Sequence, residues 1–77
     1  MATERVDFTV KKEVGLHDTT LLERALDSLP GVSSVGVNRQ SDRIAVGFDG
    51  TQVTREEIRA KIEILGYPVQ DTHERPS

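Results

Sequence analysis

Three side chains in the stretch KKEVGLHDTTLLERAL, residues 11 to 26, could ligate a metal ion: Glu13, His17 and Asp18. One imidazole and two carboxylates within six residues suit divalent ions such as Zn2+, Ni2+ or Mn2+, whereas Cu(I) prefers sulfur. A structural zinc site normally takes four protein ligands, and a catalytic one takes three plus water. This set therefore supports weak binding at most. Each residue also has a plainer role. Asp18 is placed to cap a helix, where its carboxylate accepts a backbone N–H at the positive end of the dipole. His17 reads as a solvated loop residue and Glu13 as surface.

The chain contains no cysteine. Disulfides, thiol catalysis, zinc ribbons and thiolate binding of soft metals are thereby excluded. Nucleophilic catalysis finds no support either, because Ser28, Ser33, Ser34 and Ser41 have no histidine placed by sequence to activate them. The paired acids Glu56 and Glu57 fall in the first turn of an expected helix, where the dipole accounts for them. Gly31, Gly36, Gly47 and Gly50 sit at turns or within strand patterns and form no phosphate-cradling loop. His73 lies in a polar tail with no partner nearby in sequence. The expectation is a protein that is not an enzyme and has no resident cofactor beyond weak binding of a divalent metal ion.

The elements that must hold the 11–18 loop are read from periodicity. Val6, Phe8 and Val10 alternate with Asp7, Thr9 and Lys11, which marks a half-buried strand over residues 5–11. Leu21, Leu22, Ala25, Leu26 and Leu29 follow helical spacing over residues 19–29. Asp18 or Thr20 is positioned to cap that helix, Thr20 and Glu23 match a capping box, and Pro30-Gly31 ends it. A second strand over residues 32–38 turns inward Val35 and Val37. A turn over residues 38–42 leads to a third strand carrying Ile44, Val46 and Phe48, closed by Asp49-Gly50. A second helix over residues 54–65 buries Ile58, Ile62 and Leu65, with Thr54 and Glu57 as its capping box and Gly66 as its stop. Residues 67–70 supply a short fourth strand, for which Pro68 suits an edge or a start.

The order βαββαβ, with one apolar face per strand and one stripe per helix, predicts an α+β fold. Its economical form is a four-stranded antiparallel sheet with two helices on one face, the ferredoxin-like split βαβ arrangement. Residues 1–70 are expected to form a single domain and residues 71–77 a disordered polar tail. At 77 residues a chain buries only roughly 60% of its unfolded surface, so nearly every apolar position should be in use. The net charge of −3 is spread over interleaved acids and bases, which argues against a nucleic-acid footprint or a polybasic membrane surface. No apolar run reaches the length of a membrane span and the first residues carry no signal-peptide core, so a cytoplasmic setting is expected.

At a finer grain, ALDSLPGVSSVGV (residues 25–37), DRIAVGF (residues 42–48) and VTREEIRAKIEILGYPV (residues 53–69) resemble the heavy-metal-associated domain. That domain occurs in copper chaperones and at the N-terminus of metal-transporting P-type ATPases. The shared pattern is a helix ending in L-P-G-V, a V-x-V strand, and a second helix running into G-Y. The family's metal motif, G-M-x-C-x-x-C, belongs between the first strand and the first helix. Ungapped alignment from Leu29-Pro30-Gly31 places Lys12 at its glycine, Glu13 at its methionine, and Gly15 and Asp18 at its cysteines. Sliding Gly15 onto the motif glycine requires a three-residue gap and places Asp18 and Leu21 there instead. Both thiolates are lost either way, so the motif is degenerate.

The resemblance implies a domain associated with metal ion transport or handling that lacks the thiolate Cu(I) site and works as a protein-interaction or regulatory module. Its partner would be another such domain or a metal transporter, with the chain itself a monomer or weak dimer. The face around the loop and first helix offers Lys11, Lys12, Glu13, His17, Asp18, Glu23 and Arg24 for docking by charge complementarity. Tyr67 corresponds to the family's loop-covering tyrosine, and simple ring packing is the better account of it here. The alternative function is weak divalent-metal binding through Glu13, His17 and Asp18. A small-molecule-sensing domain of the ACT type comes third. RNA-recognition domains share the topology but need aromatics on the open sheet face. Phe8 and Phe48 share parity with core aliphatics, so nucleic-acid binding is not expected, and neither is membrane insertion.

Overall fold

Alternation in β1 (Thr3–Val10) sends Val6, Phe8 and Val10 to one side of the sheet, where all three are buried. The structure is a computed structural model that describes residues 3–11 and 19–75, with the backbone alone for residues 74 and 75. The remaining elements are α1 (Thr20–Asp27), β2 (Val32–Asn38), β3 (Arg43–Asp49), α2 (Arg55–Ile64) and β4 (Val69–Arg75). Their βαββαβ order folds into one antiparallel sheet with strand order β2-β3-β1-β4.

In the central pair, Val6 faces Val46 and Phe8 faces Ile44, so the apolar faces of β1 and β3 coincide. Leu22 and Leu26 of α1 and Ile58 and Ile62 of α2 join these residues in one core cluster, which puts both helices on the same face of the sheet. The ferredoxin-like arrangement expected from the pattern is therefore the fold. Phe8 and Phe48 are fully covered within that core and present no stacking surface.

Several local expectations change. The helix α1 is shorter than residues 19–29, and its N-cap is Thr19, with no side-chain capping bond. Thr20, expected to cap the helix in a box with Glu23, is instead its first helical residue. Glu23 accepts a hydrogen bond from the Thr19 hydroxyl at 3.2 Å. Leu21 is 75% exposed rather than part of the buried stripe. Successive helical side chains are about 100° apart, and the packed face is centred on Leu22 and Leu26, which leaves Leu21 outside it. In contrast, α2 matches its expected form: Thr54 accepts from the Glu57 N–H, the reciprocal bond completes the box, and Gly66 follows with φ 99.

The largest correction concerns the C-terminal segment. Residues 71–75, read as the start of a disordered tail, continue β4 along the outer edge of β1, with Phe8 opposite Thr72 and Asp7 opposite His73. Backbone N–H and C=O groups on the edge of β1 need partners whatever the side chains are. A polar sequence meets that need as well as an apolar one. The ordered domain thus reaches at least Arg75 rather than ending at residue 70, and His73 is a strand residue.

Candidate functional site

The candidate ligands belong to residues 12–18, between Lys11 at the end of β1 and Thr19 at the start of α1. Glu13, His17 and Asp18, together with Lys12 of the expected docking surface, lie outside the described residues. The frame on either side of them is defined. The Lys11 N–H donates to the Pro68 carbonyl at 3.1 Å, fastening the end of β1 to the segment between α2 and β4. The Tyr67 N–H donates to the Ile62 carbonyl at 3.2 Å, which holds that segment against the end of α2. Tyr67 is half-buried and packs against the core. On the other side Thr19 is almost fully buried, with 1% exposure, and the Glu23 N–H donates to its carbonyl at 2.8 Å.

The end of β1 is thus tied to the segment that follows α2, and the start of α1 is anchored by the buried Thr19. Lys11, Glu23 and Arg24 of the predicted docking face are all exposed. Two apolar residues join them that the sequence reading had not assigned to a surface: Leu21 in the first turn of α1 and Ile64 in the last turn of α2, exposed by 75% and 78%. The available signal for Ile64 was angular. It lies about 120° around the helix from the stripe of Ile58, Ile62 and Leu65.

The opposite face of the sheet, free of helices, holds a different arrangement. Asp7 is only 3% exposed although it points away from the core, and the Arg43 guanidinium lies 3.8 Å from its carboxylate. Next to it, a shallow hollow of about 290 Å3 is floored by Gly36, Ala45 and Gly47. A second, wider hollow of about 550 Å3 adjoins it, lined by Asp7, Gly36, Asn38, Ser41 and Arg43, and both lie open to solvent.

Among the described residues, no group of three or more His, Cys, Asp or Glu side chains is placed to hold a metal ion. The donor set of the whole chain also does not fit a thiolate Cu(I) centre, which needs sulfur: there is no cysteine, and Met1 carries the single thioether. No helix among the described residues is long and apolar enough to cross a membrane.

Comparison with known proteins agrees with this geometry. The sequence profile of the heavy-metal-associated domain matches residues 19–68, from the N-cap of α1 to the Lys11-bonded Pro68. The copper chaperone CopZ of Staphylococcus aureus is 32% identical over 53 residues, which cover 69% of this chain and 78% of that protein. Among solved structures, a copper-bound S46V form of CopA from Bacillus subtilis superposes with a TM-score of 0.68 at 27% identity, covering 88% of this chain and 90% of that one. The N-terminal domain of a potential copper-translocating P-type ATPase from Bacillus subtilis, solved in its Cu(I)-loaded state, reaches a TM-score of 0.82 at 20% identity, covering 99% and 95% of the two chains. At that identity the likeness speaks for the fold alone.

Proposed function

Because the chain belongs to the heavy-metal-associated domain family, we propose that it serves metal handling as a non-catalytic protein-interaction or regulatory module and not as a thiolate carrier of Cu(I). The observation that carries this reading is a metal-domain fold built from a chain with no cysteine. What the fold retains around the loop is a surface. Leu21 and Ile64 supply apolar contact, while Lys11, Glu23 and Arg24 supply charge for orientation. Exposed large apolar side chains are contacts that a partner can cover. The partner of choice is a cysteine-bearing domain of the same family or the metal transporter that carries one. A cytoplasmic setting, Tyr67 as the residue packed beside the loop, and Lys12, Glu13, His17 and Asp18 as further contacts belong to the same proposal.

A 15N-HSQC titration with a cysteine-bearing heavy-metal-associated domain of a transporter tests it. Saturable shifts at Lys11, Leu21, Glu23, Arg24 and Ile64, weakened at least tenfold by Leu21→Asp or Ile64→Asp in a folded chain, are the expected result. Unchanged spectra with such domains at millimolar concentration would sink the docking reading. The same spectra recorded with Zn2+, Ni2+, Cu2+ and Cu(I) at pH 7 and 5.5 address the alternative. Shifts confined to residues 13–18 and Tyr67, lost on protonating His17, would identify a divalent-metal binder instead.

A further inference from the structure

The two edges of the sheet are built differently. Edge strands normally carry charges, proline or bulges that discourage pairing with another chain. The β4 edge follows this rule: Pro68 precedes it and its sequence VQDTHER carries Asp71, Glu74 and Arg75. The β2 edge, VSSVGVN, carries no charged residue in seven positions. A bulge between Val32 and Ser34 blunts its start, but Ser34 to Asn38 run in regular register with β3. Val32, Val35 and Val37 are only half-covered, forming the margin of the core cluster, and Ser34, Gly36 and Asn38 are exposed on the other face.

We propose that β2 is a self-association edge, at which a second copy of this chain adds its own β2 antiparallel to make one continuous eight-stranded sheet. The strand is complementary to itself. A two-fold axis at Gly36 places Val35 opposite the second copy's Val37 on the helix side, and Ser34 opposite its Asn38 on the open side. Antiparallel partners directly opposite share a face of the sheet, so apolar meets apolar and polar meets polar. Gly36 sits on the axis and adds no side chain to the open face there.

Charge agrees with this pairing. In this antiparallel arrangement the exposed Arg39, one residue beyond β2, comes toward the start of the second copy's β2, the end reached from α1, whose last residue Asp27 is exposed. The two-fold repeats this approach of opposite charges at the other end. A second copy is thus favoured over an arbitrary extended peptide, which would supply neither the matched pairs nor the end charges. Stable interfaces bury about 1,200–2,000 Å2 in total. One short strand pair falls below that, so the dimer is weak and forms in the upper micromolar to millimolar range.

Sedimentation equilibrium of the full chain from micromolar to millimolar concentration, with amide exchange at both extremes, tests the proposal. The expected result is a monomer–dimer equilibrium in which amides of residues 34–38 alone gain protection as the dimer forms. Gly36→Lys puts like charges on the two-fold axis and should weaken association at least tenfold. Ser34→Lys provides a second variant with the same expectation if Gly36→Lys does not fold. Gln70→Lys, on the β4 edge, should leave association unchanged. A chain that stays monomeric at millimolar concentration, a folded β2 variant that dimerises like the parent, or protection that appears on β4 instead would overturn it.

Discussion

Thr19 and Thr54 are the N-caps of the two helices and share φ −102, yet their ψ values are 12 and 157. That difference decides which helix has a side-chain cap. A cap residue must be extended for its oxygen to reach the N–H groups of the first turn. Thr54 is extended and bonds the Glu57 N–H at 3.2 Å. Thr19 is not, and its hydroxyl donates to Glu23 instead. Thr54→Ala should therefore cost about 1 kcal/mol of stability. Thr19→Val should cost less, under about 1 kcal/mol. Urea unfolding of the two variants gives the comparison directly.

Three glycines should respond to alanine in a fixed order. Gly31 combines φ 92 with a Cβ position 2.7 Å from the Gln52 Cβ, so Gly31→Ala is strained twice over. About 2 kcal/mol or more is expected. Gly66 has φ 99 but open space around it, and the conformation alone should cost about 1 kcal/mol. Gly36 has neither constraint, so alanine there should be neutral or mildly stabilising. Thermal unfolding of the three variants should give this ranking, and an equal loss at all three positions would contradict it.

Leu21 and Leu26 test the division between surface and core in one short helix. Leu26 has 0% exposure, and Leu26→Ala should cost about 2–5 kcal/mol. Leu21→Ala should stay within about 0.5 kcal/mol, since its side chain is in water. A Leu21 variant as damaging as the Leu26 variant, measured by chemical denaturation, would place Leu21 in the core.

Asp49 gives the fold an acid-dependent contribution. Its carboxyl is held below the usual value of 3.8 by the Thr51 backbone N–H, then by the Thr51 hydroxyl, with a further bond from Gln52. The unfolded chain then binds this proton more readily than the folded one. The stabilisation is present above the ordinary carboxylate pKa and is lost as pH falls through the lowered folded value. Unfolding midpoints should fall from about pH 4 downward, and Asp49→Ala should flatten part of that slope. A carboxyl 13C titration placing Asp49 at or above 3.8 would contradict the assignment.

The sequence alone determined the periodic parts of this protein. Alternation placed Val6, Phe8, Ile44, Val46 and Phe48 on one face, and helical spacing placed Leu22, Leu26, Ile58 and Ile62. Such patterns depend on local geometry, so they survive without knowledge of neighbours. The L-P-G-V and G-Y segments carried the family, and the absent cysteines removed the thiolate site. Tertiary structure decided the rest. It extended β4 to Arg75 because the edge of β1 offered backbone partners that no side-chain pattern records. It buried Asp7 on the helix-free face beside Arg43, and it turned Leu21 and Ile64 outward. It also made β2 an edge rather than a central strand, through the order β2-β3-β1-β4. Each of these depends on which surface meets which across the sheet, and that is information the chain acquires only when it closes on itself.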